Sequence, residues 1–200
     1  KGKESKLINI YKSEQDERVR SRILNLFKSS KGKKAAEFLR DIILYEPNDY
    51  LVRSAVNSLA KVNEDSLMEY MDFILGRESY NDIVRNSGIS KLSMIDPDSN
   101  YYQLLDLASY GGTSWNSRNT AVRGLEKYII DHPEILGEMI HFLEDPNYRV
   151  RWTAINILCK YGGEEHLEKM MEITTDDLLG GMQFSSGKNH LKTRMEKRNA

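Results

Sequence analysis

The chain has one cysteine, Cys159, among 200 residues, so no internal disulfide can hold it together. No basic cluster stands beside that cysteine to lower its pKa, and it reads as a small, partly buried helix residue rather than a reactive thiolate. No apolar run approaches the roughly 18 residues that a membrane-spanning helix needs. No apolar segment follows the charged start KGKESK, so no secretory leader is expected. Neither sign of charge is in excess: 29 Lys and Arg stand against 30 Asp and Glu, for a net charge of −1. That balance argues against a chain built to coat DNA or an anionic membrane, although Lys and Arg do gather at both ends and in Lys28 to Lys34. A reducing, cytoplasmic setting is the expectation.

The common catalytic frames are missing too. A zinc peptidase helix needs His-Glu-x-x-His, because that spacing aims both imidazoles at one metal. The four histidines are followed by Pro133, Phe142, Leu167 and Leu191, never by glutamate. His166 beside Glu164, Glu165 and Glu168 is the one His–carboxylate cluster, and a solvated helix start accounts for it. Ser-x-x-Lys occurs at Ser30/Lys33, Ser58/Lys61 and Ser185/Lys188, without the companion motifs of a serine nucleophile. Lys31-Gly32-Lys33 lacks the glycine frame that wraps phosphates, and Gly180-Gly181 follows no strand pattern. Asp176-Asp177 and Glu164-Glu165 read as charged loop edges. No catalytic, metal or cofactor residue is expected, and the binding residues remain open.

What is present is a repeat. Leu26, Leu59, Leu92, Leu125, Leu158 and Leu191 stand on an unbroken grid of 33 residues. Four positions earlier come Arg22, Ala55, Gly88, Ala121, Ala154 and Gly187. Three positions earlier come Ile23, Val56, Ile89, Val122, Ile155 and Lys188. Such spacing puts these residues on one helix face, with a small side chain that lets a neighbour approach closely. Gln15, Asn48, Asn81, Ser114 and Asn147 recur just before these helices, where such residues cap and turn. Proline after Asp96, His132 and Asp145 marks further helix starts.

The preceding helices have columns of their own. Phe38, Met71, Leu104 and Met170 form one, broken at Gly137; Ile74, Leu107, Ile140 and Ile173 form another, broken at Asp41. The pattern predicts helix pairs over 3–12/16–28, 33–45/48–61, 65–76/80–94, 98–110/114–130, 133–144/146–161 and 164–174/187–198. Neither helix of a pair can bury its face alone, so stacking is required. The expected fold is a single all-α domain over 1–200, a right-handed α-solenoid of about six helix pairs. Its last unit, about 164–200, is irregular and capping, with a long glycine-bearing connection from Thr174 to Gly187. Leu191 in that frayed end is expected to matter less than Leu125.

Two residue sets remain to be placed. Arg85, Arg118 and Arg151 form a ladder, with Arg20 and Arg53 one position later in register, and pairing with acids such as Asp49 and Asp82 is the expectation. Trp115, Tyr148 and Trp152 cluster at two helix starts; packing between repeats is expected, with an aromatic binding patch as the alternative.

YLVRSAVNSL, DIVRNSGISKL, SRNTAVRGL and YRVRWTAINIL resemble the V-R-x-x-A-x-x-x-L core of the HEAT repeat in its short form, over about residues 16–161. HEAT solenoids mostly bind other macromolecules. The order SYNDIVRNSGISKL, LLDLASYGG, SRNTAVRGLEKY, FLEDPNYRVRWTAINIL also resembles the C-terminal HEAT-like domain of aminopeptidase N-like zinc metallopeptidases. Gly88 for alanine, Ser117 for valine and the last unit depart from that pattern. The resemblance implies a non-catalytic domain that closes over the active-site chamber of a catalytic domain absent from this chain, with zinc only in that domain. The alternative is a free-standing scaffold for another protein, with Trp152 and Arg53 as candidates on its concave face. A nucleic-acid-binding role comes third, disfavoured by the near-neutral charge, and no membrane partner is expected.

Overall fold

The computed structural model describes residues 2–95, 97–172 and 178–198, and only the backbone for 97–99, 178–184 and 198. All regular structure among the described residues is helical. Two compact units divide the chain, Lys1–Ile95 and Asp96–Ala200. In the first, α1 (Gly2–Ser13) packs with α2 (Glu17–Leu26), α3 (Lys33–Tyr45) with α4 (Asp49–Val62), and the broken pair α5 (Glu64–Met68) and α6 (Met71–Gly76) leads to α7 (Ile83–Leu92). In the second, α8 (Pro97–Ala108) packs with α9 (Trp115–Leu125), α10 (Ile135–His141) with α11 (Tyr148–Tyr161), and α12 (Glu164–Glu172) with α13 (Leu178–Arg198). Within each unit the second helices also pack on one another, α2 on α4 on α7 and α9 on α11 on α13. The helix pairs are HEAT-like, three to a unit.

The grid explains the core. Leu59, Leu92, Leu125, Leu158 and Leu191 are each 0% exposed. Ala55, Ala121 and Ala154 are fully buried beside them. Gly88 has no room for more: a Cβ there would sit 2.7 Å from Ile74 Cγ2. Phe38, Met71, Leu104 and Met170 are buried as well, whereas Leu107 and Ile140 of the second column are only half-buried. Three members of the turn ladder are N-caps. Asn48 Oδ1 accepts from the amides of Tyr50 and Leu51, Ser114 Oγ from Ser117, and Asn147 Oδ1 from Arg149. In the first pair Asp16 caps in place of Gln15. In the third the turn is left-handed instead, with φ of 50° at Asn81 and 53° at Asp82. Asp145 does not cap α11 in the usual way; it accepts from the Asn147 amide at 2.7 Å and is otherwise an ion-pair partner.

Three expectations are corrected. Leu26 is 53% exposed, and Val19 on the same face is open too; α2 buries Ile23 and Leu24, and Phe27 just beyond its end, instead. α2 packs on α4 through one face, and its opposite face, with Val19, Leu26 and Arg22 at the position where the other pairs have Ala or Gly, stays in water. The connection expected up to Gly187 is helix from Leu178 onward. Two adjacent glycines lower helix propensity by roughly 1 kcal/mol each, but packing of α13 against α11 outweighs them. Gly187 itself is required, because a Cβ would lie 2.3 Å from Ile155 Cγ2. Leu191, expected in a frayed end, is fully buried. Asp96, Ile173 and Asp176-Asp177 lie outside the described residues, as does the side chain of Phe184.

Leu125→Ala and Leu191→Ala should each cost about 2–5 kcal/mol, the usual range for truncating a buried leucine. Leu26→Ala should leave the chemical denaturation midpoint nearly unmoved. A loss at Leu26 equal to that at Leu125 would refute the exposed position of Leu26.

Candidate functional site

The arginine ladder is structural. Arg118 and Asp145 form a buried pair, Nε to Oδ2 at 2.7 Å and Nη2 to Oδ1 at 3.0 Å. Arg118 also donates to the Thr113 carbonyl, while Arg151 donates to the carbonyls of Asp145 and Pro146. Arg85 pairs with Asp82, and Arg77 with Asp49. In the first unit Arg20 reaches Glu46 at 2.6 Å, and the Tyr11 hydroxyl donates to the same carboxylate. Burial and the Glu46 charge push the Tyr11 pKa well up, against the opposite pull of Arg20. Arg20, Arg77 and Arg118 thus join one helix pair to the next, while Arg85 and Arg151 hold together the turn of their own pair.

The aromatic cluster is not packed away between repeats. Trp115, Tyr148 and Trp152 are 38%, 38% and 39% exposed. Arg149 lies between the first two, its guanidinium 5.2 Å from the Trp115 ring and 5.7 Å from that of Tyr148. Tyr148, Trp152, Asn156 and Lys160 stand four apart along α11. From Val150 to Cys159 every residue except Trp152 and Asn156 is buried. Over that stretch the helix therefore shows solvent one narrow stripe, with Arg149 exposed as well at its start.

That stripe forms one wall of a groove of about 440 Å³ between α11 and α13. Trp152, Asn156 and Lys160 face Ser186, His190 and Arg194 across it, with Ile155, Cys159 and Gly187 also in its lining. A second hollow of about 510 Å³ backs onto Ser186, His190 and Arg194 and adds Asn189, Thr193 and Lys197. Arg194 donates to the carbonyls of Lys160 and Gly162 and so ties α13 to the end of α11. Cys159 is buried and donates to the Gly187 carbonyl at 3.1 Å; burial pushes its thiol pKa up, against the pull of Arg194. The Tyr161 hydroxyl, then Glu126 at 2.9 Å, raise the Lys160 pKa and keep the ammonium charged.

The comparison with known families falls on this same unit. Residues 103–180 match the family of HEAT repeats. No curated protein matches the chain. The matched residues hold the aromatic cluster and the α11 wall of the groove, while its α13 wall, from Ser186 to Arg194, lies beyond them. Arg53 stands exposed in the first unit, 5.4 Å over the Tyr50 ring. The aromatic patch was visible in the sequence as a possibility. The groove was not, because its second wall lies in a segment whose glycines read as a loop.

His166 is part of a turn. Its Nδ1 accepts from the Gly163 amide at 3.1 Å, and burial lowers its pKa against the pull of Glu165. Among the described residues no group of three His, Cys, Asp or Glu could hold a metal ion. No helix among them is long and apolar enough to cross a membrane.

Two measurements follow from this geometry. Arg118→Met strands the Asp145 carboxylate in the interior and should cost about 3–5 kcal/mol. Lys160→Met, at a solvated pair, should leave the unfolding midpoint in place, and equal shifts would refute the distinction. Elemental analysis after chelator-free purification should find no stoichiometric zinc, and one zinc per chain would overturn that reading of the histidines.

Proposed function

We propose that the chain is a non-catalytic scaffold for another protein, with the groove between α11 and α13 as its contact surface. One observation carries this reading: Trp152, more than a third exposed, stands at the groove on the solvent-facing stripe of a helix whose remaining faces are buried from Val150 to Cys159. An exposed indole contributes large contact area at little entropic cost, and Trp is enriched among the residues that dominate binding. Stacked helical repeats commonly bind partners along their exposed helix ridges. A photo-crosslinker at Asn156 should capture a partner in cells, and Trp152→Ala should abolish the capture. Capture unchanged by that substitution, or equal from a crosslinker at Asn57 in the first unit, would refute the assignment of the groove.

A narrower reading makes the scaffold the C-terminal HEAT-like domain of an aminopeptidase N-like zinc peptidase. Its support is the order of the four sequence segments from SYNDIVRNSGISKL to FLEDPNYRVRWTAINIL. The partner would then be a catalytic domain of the same parent chain, which alone would carry zinc. Deleting this segment from such a parent should lower kcat/KM while zinc content holds, because substrate positioning suffers and the metal ligands stay. An unchanged kcat/KM would refute the chamber-closing role. We place the chain in the cytoplasm, on the strength of its single buried cysteine.

A further inference from the structure

Charge and polarity along the exposed ridges of the second unit narrow the partner. None of the described residues lining either hollow is Asp or Glu, although the chain as a whole is slightly acidic. Lys160, Arg194 and Lys197 contribute three cations. One repeat earlier, Arg123 and Lys127 on and just beyond α9 occupy the positions equivalent to Asn156 and Lys160, and both are exposed. Of the nearby acids, Glu126 is paired with Lys160, and Glu196 is exposed beside Lys197 without lining either hollow. Asn156 lines the groove and Asn189 the second hollow, each exposed and each with a carboxamide that both donates and accepts. The groove floor is apolar and shallow, with Ile155 beside a glycine that brings the two helices close.

We propose that this groove, together with the hollow that shares its Ser186, His190 and Arg194, binds an acidic peptide segment carrying one bulky apolar side chain. The apolar side chain packs against the Trp152 indole over Ile155. The carboxylates of the peptide meet Lys160, Lys197 and the fixed guanidinium of Arg194, which its carbonyl partners hold in place. Asn156 and Asn189 pair with the peptide main chain, whose amide and carbonyl groups match a carboxamide in both directions. A nucleic acid would use the same cations. The carboxamides and the single apolar floor suit a peptide better than a phosphate backbone, which needs a denser row of cations.

This rests on the scaffold reading, and the test separates the two. The full chain is immobilised and a randomised short-peptide library is selected against it, with Trp152→Ala as the subtracting target. The expected result is enrichment of Asp and Glu beside one large apolar residue. A synthetic peptide from that set should bind in fluorescence anisotropy, lose about tenfold or more with Trp152→Ala, and weaken with Lys197→Glu and with added salt. Replacing every Glu of the peptide by Gln should weaken it comparably, and Arg53→Glu in the first unit should change nothing. Circular dichroism of each variant confirms that it is folded. Enrichment of neutral or basic peptides overturns the acidic class and leaves the groove as a contact surface. Enrichment that ignores Trp152 overturns both readings. An oligothymidylate that displaces the peptide at equal charge makes the ligand a nucleic acid and also overturns the proposal.

Discussion

Everything in this fold depends on how closely the second helix of a pair can be approached. A helix of ten to fourteen residues is marginal in water, and its stability comes from the apolar face it buries. The face works only where the column four residues before each grid leucine is small. Ala55, Ala121 and Ala154 are fully buried there, and Gly88 and Gly187 stand where even a methyl group would collide with an isoleucine. The column departs from this at Arg22, which lies with Val19 and Leu26 on the solvent-facing side of α2.

Close packing of apolar faces sets no register by itself, and the polar groups at the turns do that. Each unit has the same clasp. In the first, Glu46 accepts from Arg20 of the preceding pair and from the Asn48 amide of its own turn. In the second, Asp145 accepts from Arg118 of the preceding pair and from the Asn147 amide. The asparagine in turn caps the next helix. One carboxylate thereby fixes a turn, a helix start and the position of the neighbouring pair. Such a buried pair costs desolvation, so its value lies in specifying one arrangement as much as in stability.

How much of this was legible from the sequence depends on what each residue responds to. The leucine grid, the small column and the caps Asn48, Ser114 and Asn147 answer to local periodicity and to the chemistry of turns, and they were readable directly. The first pair was not, since periodicity marks an apolar face without saying how many sides of the helix find a neighbour to cover them. Gly180, Gly181 and Gly187 signalled a loop by propensity, and only the closeness of Ile155 shows why a helix passes through Gly187. The groove needed both facts together. Its α11 wall follows from the repeat, while its α13 wall exists because packing overrode the glycines.

The two registers of arginine show where function can reside in such a repeat. Residues one apart on a helix point about 100° apart. Val52, Arg85, Arg118 and Arg151 occupy the column that faces inward or half-inward, and the arginines there are held by carboxylates and carbonyls. The next column holds Arg53, Asn86, Asn119 and Trp152; Arg53 and Trp152 are exposed, Asn86 is half-buried, and Asn119 is buried and accepts from Thr153 Oγ1 at 2.7 Å. Inward columns repeat because each must fit the same neighbour. Where the next column is exposed, at Arg53 and Trp152, it carries no such demand and is free to differ in charge, size and polarity. In the second unit it is Trp152, one residue from the buried Arg151, that stands there.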